Sequence, residues 1–249
     1  MVRFNDSMKA TSKNLKLCFT QPSQNTHLPH VNSAFGAVAS LDFGVFRGCL
    51  NAATRQPPEV HSPDVAVTDS QIALNYLKAG NYRFVHDTTM PRNTNKIDRD
   101  LTKDSQKPFA AILTCADSRL APEIFFDQKI GDIFVLRNAG NVADFSVIGS
   151  LEFAAGALGV PLVVVVGHTR CLAVYSACSG RKDFFPGLQA LLDGISENLG
   201  NMADEEQAAI DNTHGQVEKI KANAVIRESG AVVVGASYDI ATGKVTFFD

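Results

Sequence analysis

The stretch LVVVVGHTRC (residues 162–171) joins an apolar strand pattern to a histidine and a cysteine, two residue types that can ligate metals. Five consecutive branched apolar residues predict a strand that is buried on both faces, as in a parallel sheet covered by helices. A second apolar run, Phe109 to Leu113, precedes Cys115. We therefore expect Cys115, His168 and Cys171 to lie just past the carboxyl ends of two strands, where open α/β sheets bind ligands.

From Asp69 onward, strand patterns alternate with helical patterns. Asp69 or Ser70 can cap the first predicted helix, whose apolar residues recur at helical spacing and which we expect to end at Gly80. Further strands are predicted at 133–136, 231–236 and 245–248, and further helices at 122–126, 146–158, 190–199 and 208–220, the last interrupted by Gly215. This order predicts an α/β fold with a mostly parallel central sheet flanked by helices and an antiparallel edge strand at the C-terminus.

Residues 1–68 differ in composition from the rest of the chain. They are rich in Ser, Thr, Asn, Gln and Pro, and up to Arg55 they carry six basic and two acidic side chains. We predict an N-terminal extension over 1–68 and a folded domain over 69–249. A basic, Ser-rich extension is typical of an organelle-targeting peptide and would direct the protein to a chloroplast or mitochondrion; otherwise we expect it in the cytoplasm. The alternatives are a solvated arm or, if residues 34–54 form a helix, an arm that wraps around another subunit.

Composition excludes several classes of partner. The 249-residue chain has a net charge of −3, so it offers no basic field to nucleic acid or to an acidic membrane. No apolar run is long enough to span a bilayer. Five irregularly spaced cysteines favour a reducing compartment over a disulfide framework. We therefore expect a small-molecule substrate, with neither a nucleic-acid partner nor a membrane span.

Cys115, His168 and Cys171 offer two thiolates and one imidazole. His168 and Cys171 are three residues apart at a predicted strand-to-helix turn, where both side chains can face one point, and Cys115 follows a neighbouring strand. Singly, each residue has a simpler explanation, because buried cysteines and core histidines are common. Jointly they predict a zinc site. A Cys₂His set leaves one tetrahedral position for water, which is typical of a catalytic zinc, so the pattern predicts a zinc hydrolase or hydratase.

Cys178 and Asp117 are two further candidate metal ligands. Cys178 lies seven residues after Cys171, which is roughly 10 Å along a helix axis, so both thiols cannot reach one metal if this segment is helical. We interpret Cys178 as a core thiol. Asp117 lies two residues from Cys115, but Arg119 can pair with its carboxylate through two hydrogen bonds and hold it away from the metal.

These segments resemble the β-class carbonic anhydrases, whose hallmark is a Cys-x-Asp-x-Arg segment followed later by His-x-x-Cys. The resemblance covers most of residues 69–249 and includes GDIFVLRNAGN (131–141) and YDIATG (238–243). It implies that Cys115, His168 and Cys171 hold Zn²⁺ and that Asp117 and Arg119 form a catalytic dyad. It also implies a homodimer or a higher homo-oligomer built from dimers.

The resemblance further assigns substrate-binding residues. Gln106 looks like the glutamine that in plant-like members hydrogen-bonds the substrate from the adjoining subunit. Phe134, Ala139 and Phe153 look like the apolar wall of the pocket, although such residues would be buried under any interpretation. Leu172 departs from the pattern, because the family normally has glycine directly after the second cysteine. A bulky side chain there is expected to alter substrate access or choice while leaving the zinc ligands intact.

The implied reaction is the reversible hydration of CO₂ to bicarbonate and a proton by zinc-bound hydroxide, catalysed by a lyase. Asp117 would accept a hydrogen bond from the hydroxide, Arg119 would orient Asp117, and Gln106 would stabilise the charge that develops on the substrate. Two thiolates should make zinc a weaker acid, so activity is expected to rise with pH through the neutral to alkaline range. The alternatives are a carbonyl sulfide or carbon disulfide hydrolase on the same scaffold, and a non-catalytic zinc-binding homologue in which Leu172 closes the pocket.

Overall fold

A computed structural model describes residues 61–90, 96–200 and 204–248. The strands are β1 (Ala110–Cys115), β2 (Ile133–Asn138), β3 (Leu162–His168), β4 (Val232–Tyr238) and β5 (Val245–Phe248). The helices are α1 (Ser70–Val85), α2 (Lys96–Thr102), α3 (Pro122–Phe125), α4 (Phe145–Glu152), α5 (Leu172–Cys178), α6 (Pro186–Ser196), α7 (Glu205–Lys221) and α8 (Ala224–Ser229). The predictions for residues 1–60, including the targeting peptide and the subunit-wrapping arm, lie outside the described residues, as do Cys18 and Cys49.

The strands in the described part of the chain form one five-stranded sheet with the order β2-β1-β3-β4-β5. Every neighbouring pair is parallel except β4 and β5, which are antiparallel. The predicted fold class, a mostly parallel sheet flanked by helices with an antiparallel C-terminal edge, is therefore confirmed. Because β1 and β3 are neighbours, the side chains at their carboxyl ends meet at one edge of the sheet.

The two central strands are apolar because helices cover both of their faces. Every residue of β1 and β3 is buried. Successive side chains point to opposite faces, so Val164 and Val166 belong to one core cluster and Val163 and Val165 belong to the other. Burying a valine side chain contributes roughly 1.5–3 kcal/mol, so these runs anchor the strands that carry Cys115 and His168.

Two glycines that were predicted to end or interrupt helices lie inside them. Helix α1 continues through Gly80 to Val85, and α7 passes through Gly215 without a break. A Cβ atom on Gly80 would lie 1.6 Å from the Phe126 carbonyl oxygen, and one on Gly215 would lie 2.0 Å from the side-chain oxygen of Asn198. Both predictions were wrong, because these glycines allow close packing against a neighbouring segment and do not terminate their helices.

The helix predicted over 146–158 changes its winding part-way. Helix α4 ends at Glu152, and residues Phe153–Ala157 continue as one turn of π-helix. The N-terminus of α4 is fixed by Asp144, whose carboxylate accepts a hydrogen bond from the Val147 N–H at 2.9 Å. The wider turn begins at Phe153, one of the predicted pocket residues.

The segment just before α1 also packs against the sheet domain. His61 is buried, and its two ring nitrogens lie 2.7 Å from an Asp132 carboxylate oxygen and 2.9 Å from the Val65 carbonyl oxygen. Burial lowers the pKa of His61, but the hydrogen bonds to Asp132 and Val65 outweigh it, so the pKa is raised above 6.5. In the described ranges no helix combines the length and apolar character needed to cross a membrane.

Candidate metal centre

The three predicted ligands converge at the carboxyl edge of the sheet. Cys115 is the last residue of β1, His168 is the last residue of β3, and Cys171 precedes the first residue of α5. The sequence placed Cys115 and His168 just past their strands, and the structure places each at the strand's final position. The turn between His168 and α5 contains Arg170 at φ +58°, a left-handed conformation that brings Cys171 back towards His168.

The ligand atoms of these residues have the spacing of a metal site. Their sulfur and nitrogen atoms all lie within 4.8 Å of one another, and the two sulfurs are 4.0 Å apart. Two sulfurs bound to one tetrahedral zinc, each at about 2.3 Å, would be about 3.8 Å apart. Cys115, His168 and Cys171 are 5%, 1% and 6% exposed. The group can therefore hold a zinc-sized ion with little movement.

His168 is in the tautomer that a metal ligand needs. Its Nδ1 lies 2.9 Å from the Thr169 carbonyl oxygen, so Nδ1–H donates there and Nε2 keeps a free lone pair. Nε2 is buried and finds no hydrogen-bond partner among the residues that the structure describes. A buried polar atom without a partner costs about 1–3 kcal/mol, and a metal ion would remove that cost. A ligand imidazole whose other ring N–H donates to a backbone carbonyl is typical of metal sites.

The two thiols can both ionise only beside a positive charge. The contact with the Cys171 sulfur holds the pKa of the Cys115 thiol well below its ordinary value. The thiolate so formed raises the pKa of Cys171 above its ordinary value, and burial raises it further. Without a cation only one of the pair ionises readily, because two thiolates at this distance repel each other. A divalent ion is what allows both sulfurs to act as thiolate ligands.

Asp117 and Arg119 form a two-bond ion pair beside the three ligands. Arg119 Nε and Nη2 lie 2.9 and 2.6 Å from the two Asp117 carboxylate oxygens, and the Arg119 backbone N–H donates to the same carboxylate at 3.0 Å. These bonds hold the pKa of Asp117 at about 2. Asp117 is not a member of the three-residue group that has metal-binding spacing in the described chain. The carboxylate is therefore ionised and fixed in direction.

Arg137, which the sequence did not single out, supports this loop from β2. Its Nη2 donates to the Asp117 carbonyl oxygen at 2.8 Å, and its Nε donates to the Cys115 carbonyl oxygen at 3.2 Å. Arg119 also reaches the Arg170 carbonyl oxygen at 3.4 Å. Arg119 thus links the two ligand-bearing segments, and Arg137 ties the Cys115 segment to β2. The signal in the sequence was an arginine at the end of a predicted strand, next to Asn138.

The predicted substrate-binding residues lie on surfaces that are open in a single chain. Gln106 is exposed in the segment before β1, and Ala139 is half-buried in the loop after β2. The Phe134 and Phe153 rings lie 6.5 Å apart, and Phe153 is 50% exposed. The expectation that the three apolar residues would be buried under any interpretation is therefore wrong for Phe153, and Phe134 and Ala139 are only half-buried.

Leu172 and Cys178 occupy the two ends of α5. Leu172 is the first residue of the helix and is 63% exposed, so its side chain is not held in the core. Cys178 is the last residue, is half-buried, and does not belong to the metal-compatible group. The helical separation expected from the sequence therefore keeps Cys178 away from the ligands.

A doubly covered, mostly parallel sheet with a buried Cys₂His group and an Asp–Arg pair at its carboxyl edge defines an α/β protein with a group that can bind a metal ion. Residues 110–245 match the family described as carbonic anhydrase. Carbonic anhydrase 2 of Mycobacterium tuberculosis is 35% identical over 196 residues, covering 73% of this chain and 94% of that protein. The carbonic anhydrase of Mycolicibacterium smegmatis is 34% identical, covering 70% and 90%. The chain belongs to the β-class carbonic anhydrase family.

Solved structures show the same fold. The β-carbonic anhydrase CafA of Aspergillus fumigatus is 26% identical, with a TM-score of 0.55 over 60% of this chain and 79% of that chain. The β-carbonic anhydrase CcaA is 25% identical, with a TM-score of 0.53 over 61% of this chain and 85% of that chain. The resemblance predicted from the two ligand segments is therefore confirmed.

Proposed function

We propose that this protein catalyses the reversible hydration of CO₂ to bicarbonate and a proton, with Zn²⁺ held by Cys115, His168 and Cys171. The observation that carries the proposal is the buried Cys-His-Cys group, whose imidazole offers an unpartnered Nε2, beside a carboxylate that Arg119 holds in place. A bound zinc ion supplies a Lewis acid that makes water a nucleophile near neutral pH.

Asp117 orients the attacking water. Its carboxylate is ionised across the physiological range and accepts hydrogen bonds only. Arg119 occupies part of that carboxylate with two donors, which leaves the remaining lone pairs to accept a hydrogen bond from the water. A carboxylate fixed in this way selects the orientation in which a free lone pair on the water oxygen faces the substrate.

The substrate is uncharged and linear, and its product is an anion. Phe134, Ala139 and Phe153 supply an apolar wall for CO₂, and Gln106 of a second copy supplies an amide donor for the oxygen that gains charge. The exposure of Gln106 and Phe153 in one chain supports a homodimer, or a larger assembly of dimers, as the active unit. Edge strand β2, whose residues are only partly covered, is a natural place for that contact.

Two other functions are candidates, because the exposed side chain of Leu172 directly follows the ligand Cys171. One is the hydrolysis of carbonyl sulfide or carbon disulfide, and the other is zinc binding without catalysis. The test compares the zinc-loaded protein with Leu172→Gly on all three gases, following CO₂ hydration by stopped flow and hydrogen sulfide release. CO₂ hydration by the unmodified protein supports our proposal, whereas hydrogen sulfide release without CO₂ hydration would replace it.

A further inference from the structure

Helix α7 turns amide side chains towards the interior. Asn212 and Gln216, one helical turn apart, are 0% and 1% exposed. Burying an amide costs free energy unless its donors and acceptor are hydrogen-bonded. Two fully buried amides on one helix face therefore point to a defined set of partners.

Two of those partners, Gly140 and Ala143, belong to the loop that follows β2. Asn212 Nδ2 donates to the Gly140 carbonyl oxygen at 2.9 Å, and Gln216 Oε1 accepts from the Ala143 N–H at 2.8 Å. Gln216 Nε2 donates to Asn212 Oδ1 at 3.0 Å and to the Gly194 carbonyl oxygen at 3.1 Å. Each amide thus fixes the orientation of the other, and this orientation directs the Asn212 side-chain N–H group at the Gly140 carbonyl oxygen.

Gly140 connects this network to the metal centre. Its backbone N–H donates to Cys115 Sγ at 3.3 Å. Gly140 has φ +80°, and an added Cβ would lie 2.4 Å from Ile195 Cδ1, so the loop is held in a conformation that favours glycine. Asn141, at φ +47°, continues the left-handed turn. Residues in sparsely populated backbone regions persist only where surrounding contacts hold them, and the Asn212 bond to the Gly140 carbonyl is one such contact.

We infer that Asn212 is a positioning residue which, by holding the Gly140 carbonyl, keeps the Gly140 N–H on the Cys115 sulfur and so limits the charge that Cys115 donates to the metal. The inference rests on the proposed function, because it requires a metal bound to Cys115. A hydrogen bond to a thiolate withdraws charge from the sulfur, and outer hydrogen bonds of this kind tune metal centres. With two thiolate ligands, this withdrawal keeps the metal acidic enough to activate water.

The test uses the cobalt-loaded full-length protein, whose thiolate-to-cobalt charge-transfer absorption reports charge on sulfur. Asn212→Leu and Asn212→Ser remove the amide donor to Gly140. Asn198→Ala is the matched control, because Asn198 contacts Gly194 and Asn212 Oδ1 but not Gly140. In the Asn212 variants the band moves to longer wavelength, and in the control it stays in place. An unmoved band in a folded, cobalt-loaded Asn212 variant, or an equal shift in the control, overturns the inference.

A second readout separates positioning from general damage. In the zinc-loaded Asn212 variants, kcat at neutral pH falls by roughly 10-fold or more, KM is little changed, and the midpoint of the pH profile moves to higher pH. A loss of kcat with an unchanged midpoint contradicts the inference.

Failure to bind metal and failure of the variants to fold each have a defined meaning. If the unmodified protein fails to bind cobalt or zinc, the proposed function fails and this inference fails with it; if it binds metal and only the Asn212 effect is missing, the proposed function stands. If neither variant folds, NMR of the unmodified protein loaded with cadmium-113 decides. A coupling between the metal and the Gly140 amide proton supports the link through sulfur, and its absence overturns it.

Discussion

Replacing Arg119 with alanine removes both guanidinium hydrogen bonds to Asp117, at 2.9 and 2.6 Å, and leaves the backbone N–H of residue 119 as a donor at 3.0 Å. Asp117 stays ionised at neutral pH in either case, because its pKa is about 2 with Arg119 present and 3.8 is its ordinary value. The predicted effect is therefore a change in the position of the Asp117 carboxylate, not in its charge. The freed carboxylate would be able to turn towards a metal held by Cys115, His168 and Cys171 and compete there with water.

The size of the effect follows from the geometry. Arg119 is half-exposed, so losing the pair costs about 1 kcal/mol of stability at most. A misplacement of about 1 Å beside reacting atoms costs about 100-fold in rate, so kcat/KM for CO₂ should fall about 100-fold while the protein remains folded. Arg119→Lys should recover only part of this loss, because an ammonium cannot form the two parallel bonds.

The assay is stopped-flow CO₂ hydration by the zinc-loaded variants, together with a crystal structure of Arg119→Ala. Arg181→Ala is the matched control, because Arg181 forms a pair of the same two-residue spacing with Asp183, at 2.9 and 2.8 Å, on an exposed surface. The control should keep full activity. Full activity in Arg119→Ala, or a structure with water on zinc and Asp117 unmoved, would refute the orienting role.

Three further outcomes are expected. Cys171→Ser should lower bound zinc from about one ion per chain to a small fraction, as measured by elemental analysis, whereas Cys178→Ser should keep it; equal zinc contents would argue against the ligand set. Because the pKa of His61 is raised, its pairing stabilises the fold fully below pH 6.5 and less as pH rises through the raised value. The difference in urea stability between the unmodified protein and His61→Leu should therefore shrink as pH rises above 6.5, and a constant difference would contradict this. Gly80→Ala should lower the free energy of unfolding by about 3 kcal/mol or more, because its Cβ would meet the Phe126 carbonyl. Gly149→Ala, whose Cβ would meet open space, should change that free energy by less than about 1 kcal/mol. Similar denaturation midpoints for the two variants would refute the packing argument.

The strands could be predicted because their signal is local. A short run such as Leu162 to Val166, with four β-branched residues and Pro161 and Gly167 on its flanks, favours a buried strand over a helix. The hairpin strand Val245–Phe248 was predicted with its observed bounds. The metal ligands could be placed for the same reason, since strand ends fix where the next side chains go. Local pattern was sufficient wherever burial follows directly from apolar sequence.

The remaining features depend on neighbours that are distant in the chain. Glycine is typical of a helix end, but the role of Gly80 is set by its close approach to Phe126, forty-six residues later. Asn212 and Gln216 look like solvent-facing positions in a polar helix, yet they are buried because the loop after β2 offers them partners. Hydropathy carries no information about such pairing. Gly140 likewise contributes through a backbone N–H that no side-chain pattern reveals.

The most direct test of the central claim is the rate of CO₂ hydration by the full-length protein carrying about one zinc per chain. The account predicts fast hydration that rises with pH, disappears when zinc is removed by a chelator, and is absent in His168→Ala. The account would be contradicted if the zinc-loaded protein hydrated CO₂ no faster than buffer and the Leu172→Gly variant also showed no hydration.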